Sequence, residues 1–320
     1  MATRRASFDD KLAHLKELAA NPPAAAAKEL RRYLADANGY LVGEAARVAT
    51  NLELRELIPD LAAACTRLIA APMTADKGCH GKKLLVQALI ALDAATPEVY
   101  LAGLRHVQKE PAFGPPIDTA STLRGLCAHA LVHMDHRDAA LEVAPLLMDP
   151  EPDTRSAAAD ALAATGEEVC AAILHVKTMA GDKEPDVLGA CYRGMLALSP
   201  RRYLRVVAKA LTEEETQESA AIALGESRLP EALPVLQEAL QGAEGSLQNS
   251  ILLGIALLRL EEANAYLVRL VEEASEGRAA AAVEALALHR HDEKLAAQVR
   301  AAVEGRGSRK VMRAWEERFG

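Results

Sequence analysis

An Ala-Leu pair returns through this chain in one helical frame, at Ala91–Leu92, Ala130–Leu131, Ala161–Leu162, Ala197–Leu198, Ala223–Leu224, Ala256–Leu257 and Ala287–Leu288. Ala49–Thr50 is a degenerate earlier copy. Successive copies stand 26 to 42 residues apart. That is about the length of a helix hairpin, and irregular periods of this size mark stacked helical repeats. The copy in "DPEPDTRSAAADALAATG", Asp149 to Gly166, is the clearest. Ala158, Ala161, Leu162 and Thr165 share one helical face. Asp153 is the expected N-cap and Gly166 the left-handed stop. The alanines let neighbouring helices approach almost backbone to backbone. Enlarging Ala158 to Leu is expected to overpack by roughly 1–3 kcal/mol, and truncating Leu162 to Ala to cost roughly 2–5 kcal/mol.

Composition agrees with that reading. Half of the 320 residues are hydrophobic, yet only 3% are aromatic. A core without large rings is built from Ala, Leu and Val at close spacing, which favours helices packed on helices. An amphipathic helix precedes each Ala-Leu helix, as in "LRELIPDLAAACTRLIAA", "AALEVAPLLMD" and "LPEALPVLQEALQG". Pro59, Pro145 and Pro234 fall inside these first helices, tolerated near a helix start and kinking it further in.

The segment Asp149–Gly166 resembles the HEAT repeat, in particular the short bacterial type called phycobilisome-lyase HEAT-like. It carries that family's Pro-Asp-x-Arg-x-x-Ala-Ala-x-Ala-Leu pattern and closing Gly. Weaker copies are "GDKEPDVLGACYRGMLALSP" and "GAEGSLQNSILLGIALLRLE". The resemblance implies that Asp153 and Arg155 tie adjacent repeats. Most other copies lack that Arg, so no continuous Asp–Arg ladder is expected. The expected fold is all-α: a right-handed α-solenoid of about eight or nine HEAT-like helical hairpins over residues 1–320. Capping helices are expected at 1–22 and at 306–320, where Trp315 and Phe319 seal the last repeat.

The formal net charge is −8. Neither half of the chain is basic, so a broad nucleic-acid footprint is absent and nucleic-acid binding is disfavoured. Five scattered cysteines without a CxxC pair read as buried thiols in a reducing compartment. No apolar signal core or long apolar run suggests export or membrane insertion, so a cytoplasmic location is expected.

Two long connections depart from a plain repeat: "APMTADKGCHGKK", Ala71–Lys83, and "KEPAFGPPIDTA", Lys109–Ala120. Neighbouring connections of one type lie on one rim of a solenoid, and long ordered loops often carry function. Together they gather Lys77, His80, Lys82, Lys83 and Lys109, with Phe113 among prolines and Arg124 opening the next helix. Reversing Lys82 and Lys83 to Glu is expected to weaken binding without unfolding. "GCHGKK" lacks the spacing and preceding strand of a phosphate loop. In "CAHALVHMDH", His129, His133 and His136 share a helical face. This stripe lacks the Glu of a zinc-protease motif and a further ligand, so it reads as a binding stripe rather than a metal site. His289 and His291 sit at a helix end that favours cations. Tyr192 and Arg193, on a second helix, are further binding candidates.

The residues lack the marks of the known enzyme classes of this architecture. No histidine is followed by Glu, as the di-iron hydroxylases require. The basic, aromatic face of helical-repeat glycosylases is missing, and nothing points to a bilin. The expectation is therefore a non-enzymatic scaffold without cofactor that binds a protein or peptide on its concave face or loop rim. The alternatives are a lyase-type or metal-dependent enzyme acting on a bound group, or weak nucleic-acid binding through the local basic rim.

Overall fold

The computed structural model describes residues 7–23 and 25–320. The chain divides into two compact units, one ending at Thr165 and the other beginning at Gly166. Unit 1 contains α1 (Phe8–Ala20), α2 (Ala26–Leu34), α3 (Gly39–Asn51), α4 (Ile58–Ala70), α5 (His80–Ala91), α6 (Pro97–Leu104), β1 (Lys109–Ala112), β2 (Gly114–Asp118), α7 (Ser121–His133), α8 (Ala139–Val143) and α9 (Pro152–Ala164). Unit 2 contains α10 (Glu168–Ala180), α11 (Pro185–Leu198), α12 (Pro200–Ala210), α13 (Gln217–Glu226), α14 (Ala232–Gln241), α15 (Gly245–Leu257), α16 (Glu261–Glu273), α17 (Glu276–Leu286), α18 (Glu293–Arg306) and α19 (Arg309–Phe319).

From α2 onward the helices pair as antiparallel hairpins, nine among the described residues, within the expected eight or nine. The second helices stack on one another: α3, α5, α7 and α9 in unit 1, and α11, α13, α15, α17 and α19 in unit 2. This is an all-α solenoid of HEAT-like repeats. Small residues set the stacking distance. A Cβ added at Gly81 of α5 would lie 2.2 Å from the Gly39 carbonyl oxygen of α3. One added at Gly225 of α13 would lie 2.2 Å from the Gly254 carbonyl oxygen of α15. Backbone meets backbone at both crossings.

The Ala-Leu frame holds at Ala130–Leu131, Ala161–Leu162 and Ala223–Leu224, all at most 3% exposed. It slips at the other four pairs, where Ala91, Ala197, Leu198, Leu257, Ala287 and Leu288 are half-buried or exposed. In "QALIAL" the buried pair is Ala88–Leu89, and in "EALALH" it is Ala285–Leu286. In the second case Leu288 is left 41% exposed at the helix end. In the first case Leu92 is buried as well, so the leucines of both pairs face inward.

Local chemistry explains the ends. Gly166 has φ +72° and stops α9 as expected. The N-cap of α9 is Glu151, not Asp153, because Pro152 takes the first helical position and Asp153 falls in the first turn. Arg155 donates to the carbonyls of Asp149 and Pro150, within the loop that leads into its own helix. Pro59 and Pro234 sit in first turns, whereas Pro145 ends α8, which continues as a 3-10 turn over Ala144–Met148. Met1–Ala6 of the expected 1–22 cap lie outside the described residues. The helix itself starts at Phe8 behind a capping box between Ser7 and Asp10. At the other end Trp315 is half-buried, stacked on Phe319 and covered by the Arg300 guanidinium. No helix among the described residues is long and apolar enough to cross a membrane.

One element is not helical. β1 and β2 form an antiparallel ribbon paired Lys109 with Asp118 and Glu110 with Ile117, irregular between Glu110 and Ala112. Pro111, Pro115 and Pro116 remove N–H donors, which keeps the ribbon short and its edges closed to further strands.

Candidate functional site

The two long connections meet, and a buried polar network joins them. Asp76 is 2% exposed and accepts from the Gly81 and Lys82 amides at 2.7 and 3.0 Å, satisfying first-turn N–H groups of α5. Lys82 is wholly buried. Its Nζ lies 3.3 Å from Asp76 Oδ2 and donates to Gln108 Oε1 at 2.8 Å. Gln108 Nε2 in turn donates to the Asp76 carbonyl at 2.8 Å and to Glu110 Oε1 at 2.7 Å. That Glu110 oxygen also accepts from the Gly78 amide and the Thr119 hydroxyl.

A second anchor holds the far end of the ribbon. Arg124, 2% exposed, donates through Nη1 to the His106 carbonyl and Asp118 Oδ2, both at 2.9 Å. Its Nη2 donates to Asp149 Oδ1 at 2.8 Å. Asp118 also accepts from the amides of Gln108 and Ala120.

The titrating groups reflect these bonds. Burial pushes the Glu110 carboxyl up, but hydrogen bonds from Gln108, Gly78 and Thr119 and the Lys82 charge outweigh it and hold it below its ordinary range. Asp118 is lowered the same way, burial being overcome by the Ala120 and Gln108 amides and by Arg124. Burial, with Lys82 nearby, lowers the His106 imidazole. Each charge that faces inward is thus matched by fixed donors or acceptors, the condition under which a buried ion pair is tolerated.

What this network positions is the ribbon tip. Residues 111–117, Pro-Ala-Phe-Gly-Pro-Pro-Ile, are all exposed, and none is ionisable. Phe113 at the turn is fully exposed (113% of its reference area), and Ile117 is 56% exposed.

The expected basic rim therefore divides. Lys82 and Arg124 are not surface cations: Lys82 meets Asp76 and Gln108, and Arg124 meets the His106 carbonyl, Asp118 and Asp149 through Nη1 and Nη2, while its buried Nε has no hydrogen-bond partner among the described residues. Lys77 is exposed and Lys83 half-buried. Lys109 is exposed and lies 3.5 Å from Glu151. His80 stacks on Tyr40 at 4.5 Å, with Phe8 beyond Tyr40, and its Nε2 lies 3.5 Å from Glu44. His129 and His133 are exposed on α7, His133 being 3.9 Å from Asp93. Because Arg124 turns inward at the start of α7, it forms no common surface with these histidines. Among the described residues no group of three His, Cys, Asp or Glu is placed to hold a metal.

In unit 2, Tyr192 and Arg193 point different ways. Tyr192 is 4% exposed and packs towards α12, lining a groove of about 560 Å³ with His175, Arg205 and Glu213. Arg193 is half-buried on α11, 3.4 Å from Glu226.

Asp76, Gln108, Glu110, Asp118 and Asp149 are the functional supports that sequence reading missed. Their available signal was Asp76 inside the first long connection and Glu110 and Asp118 near the two ends of the second, opposite two cations that helical patterning treats as exposed.

No family model matches this chain, and no curated protein matches it. Solved structures do. Human deoxyhypusine hydroxylase is 17% identical, with 84% of this chain and 96% of that chain covered at a TM-score of 0.33. The CpcE–CpcF complex of phycocyanin lyase from Nostoc sp. is 17% identical, with 89% and 96% covered at 0.39. An engineered protein is 17% identical, with 98% and 97% covered at 0.40. The expectation that this chain is not an enzyme is corrected on this finding, since two of these similar proteins are named for enzymatic activities. At this identity and these TM-scores the likeness assigns no activity.

Proposed function

We propose that this chain is a protein-binding α-solenoid that engages a folded partner through the ribbon Lys109–Asp118. The observation that carries this reading is Phe113, wholly exposed on a tip fixed by two buried cations. Taking such charges out of water costs several kcal/mol per ion before pairing, and the tip that they hold covers no core of its own. A rigid aromatic projection loses little freedom on docking, which favours affinity, and aromatic anchors dominate interface energetics. The partner is a protein that offers an apolar pocket. An uncharged tip gives a phosphate backbone nothing to pair with, and the neighbouring Lys109 already meets Glu151.

The test places a photo-activated cross-linker at position 113 and compares wild type with Phe113→Ala by native mass spectrometry from the source cells. The reading expects one recurrent polypeptide, cross-linked at 113 and retained about thirtyfold less well by Phe113→Ala, the equivalent of ~2 kcal/mol. Equal retention by the variant overturns it. A reaction carried out on that partner, as in a lyase, would register in the same spectra as a mass change after incubation.

A further inference from the structure

We propose that unit 2 carries an anion site for a phosphate-monoester dianion, separate from the ribbon, in the cleft between the C-terminal ends of α11, α13 and α15. The cleft holds about 460 Å³ and is lined by Arg193, Ala197, Glu226, Ser227, Arg228, Leu257 and Arg259. Three arginines thus border it with one glutamate, in a chain whose net charge is −8. Glu226 is engaged by Arg193 at 3.4 Å. Arg228 and Arg259 are exposed and have no ion pair or side-chain hydrogen bond among the described residues. Guanidinium forks suit the oxygens of a phosphate, which accept paired N–H bonds. Leu257 and Ala197 add an apolar floor for the carbon skeleton that bears it.

The left-handed residue that follows a second helix is Glu53, Asp93 and Asp135 in unit 1 and an arginine at two places in unit 2. Arg228 (φ +54°) and Arg259 (φ +55°) both follow the end of a second helix in the left-handed region. Gly suits that conformation, as at Gly166. The negative helix end favours a cation at both places, but it does not bring their side chains to one cleft with a third Arg.

The adjoining cleft refines the ligand. Arg193 also borders a cleft of about 530 Å³ lined by Asp186, Glu214, Glu215 and Glu218. An acidic cleft on one side of Arg193 and a basic one on the other match a segment with a phosphate at one end and basic residues beside it. A free phosphate has the same anion but not the basic flank.

The experiment measures binding by calorimetry at about 50 mM salt, where screening of surface charge is modest. The probes are a phosphoserine peptide with basic residues on one side, its unphosphorylated form, and inorganic phosphate. The variant is Arg228→Gly/Arg259→Gly, which removes both guanidinium groups and relaxes the left-handed backbone, so it folds. We expect the phosphopeptide to bind at least tenfold more tightly than the unphosphorylated peptide and to lose at least tenfold in the double variant, as removal of charge-assisted hydrogen bonds does. Phosphate that competes as well as the phosphopeptide identifies a small-molecule source; phosphate that fails while the peptide binds identifies a protein source. No saturable binding of either phosphorylated probe, or undiminished binding by the double variant, overturns the site. Phe113→Ala leaves this affinity unchanged, so failure here and failure of the ribbon reading are distinguishable.

Discussion

Lys82→Met tests whether the ribbon stands on a buried charge. The substitution keeps side-chain length and apolar contacts and deletes one ammonium group. In the native chain that ammonium lies 3.3 Å from Asp76 Oδ2 and 2.8 Å from Gln108 Oε1, with no solvent contact. Its loss leaves a buried carboxylate without a counter-ion and a buried amide oxygen with less than its complement of donors. Breaking a buried pair from one side costs roughly 3–5 kcal/mol. Asp76 keeps two backbone amides at 2.7 and 3.0 Å, which places the expectation near the lower limit, about 3 kcal/mol. For a unit of this size that is a fall in Tm of roughly 6–12 °C. Lys83→Met, at a half-buried neighbour without such partners, stays within about 0.5 kcal/mol. Thermal unfolding followed by circular dichroism reads both, and limited proteolysis at 109–118 reads local release of the ribbon. Lys82→Met within about 1 kcal/mol of wild type, a third of the expected loss, would refute the buried-charge reading. Charge reversal at Lys82, expected from sequence to spare the fold, instead sets two carboxylates against each other in the core and unfolds unit 1.

Three further outcomes follow from the packing and the titrating groups. Burial pushes the Cys65 thiol up to about 12 and Cys127 well above its ordinary value, so native protein at pH 8 resists alkylation at both while denatured protein reacts fully, as peptide mass mapping shows. Gly225→Ala forces α13 away from the Gly254 carbonyl and destabilises unit 2 by roughly 1–3 kcal/mol in urea unfolding, whereas Gly242→Ala, with open space at its Cβ, does not. Acid weakens the ribbon anchors in two stages. His106 is lowered in the folded state, so its contribution is complete above the ordinary imidazole value of 6.5 and declines as pH falls below it. Asp118 and Glu110 are lowered too, so theirs is complete above the ordinary carboxylate range and is lost as pH falls through their depressed folded values. Asp118→Asn flattens the second stage of the stability profile, and an unchanged profile would assign the acid transition elsewhere.

What the sequence determined is the local and repetitive part. Helix formation, hairpin length and stacking through small residues depend on spacing within a few turns, and Ala158, Leu162 and Gly166 reveal all three without reference to distant residues. The Ala-Leu frame failed where "QALIAL" and "EALALH" offer two overlapping pairs, and also at Ala197–Leu198 and Leu257, since patterning alone does not say which positions a neighbouring helix covers. The site was legible in part: the two long connections and Phe113 stood out by length, prolines and exposure. Whether Lys82 and Arg124 face water was not legible. A cation is hidden only if carboxylates and carbonyls arrive from elsewhere in the chain, here Asp76, Gln108, Asp118 and Asp149, and that convergence is a property of the folded backbone. The same holds in unit 2, where Arg193, Arg228 and Arg259 lie up to 66 residues apart in sequence and border one cleft. Burial and convergence are long-range outcomes of packing, and the tertiary structure alone decides them.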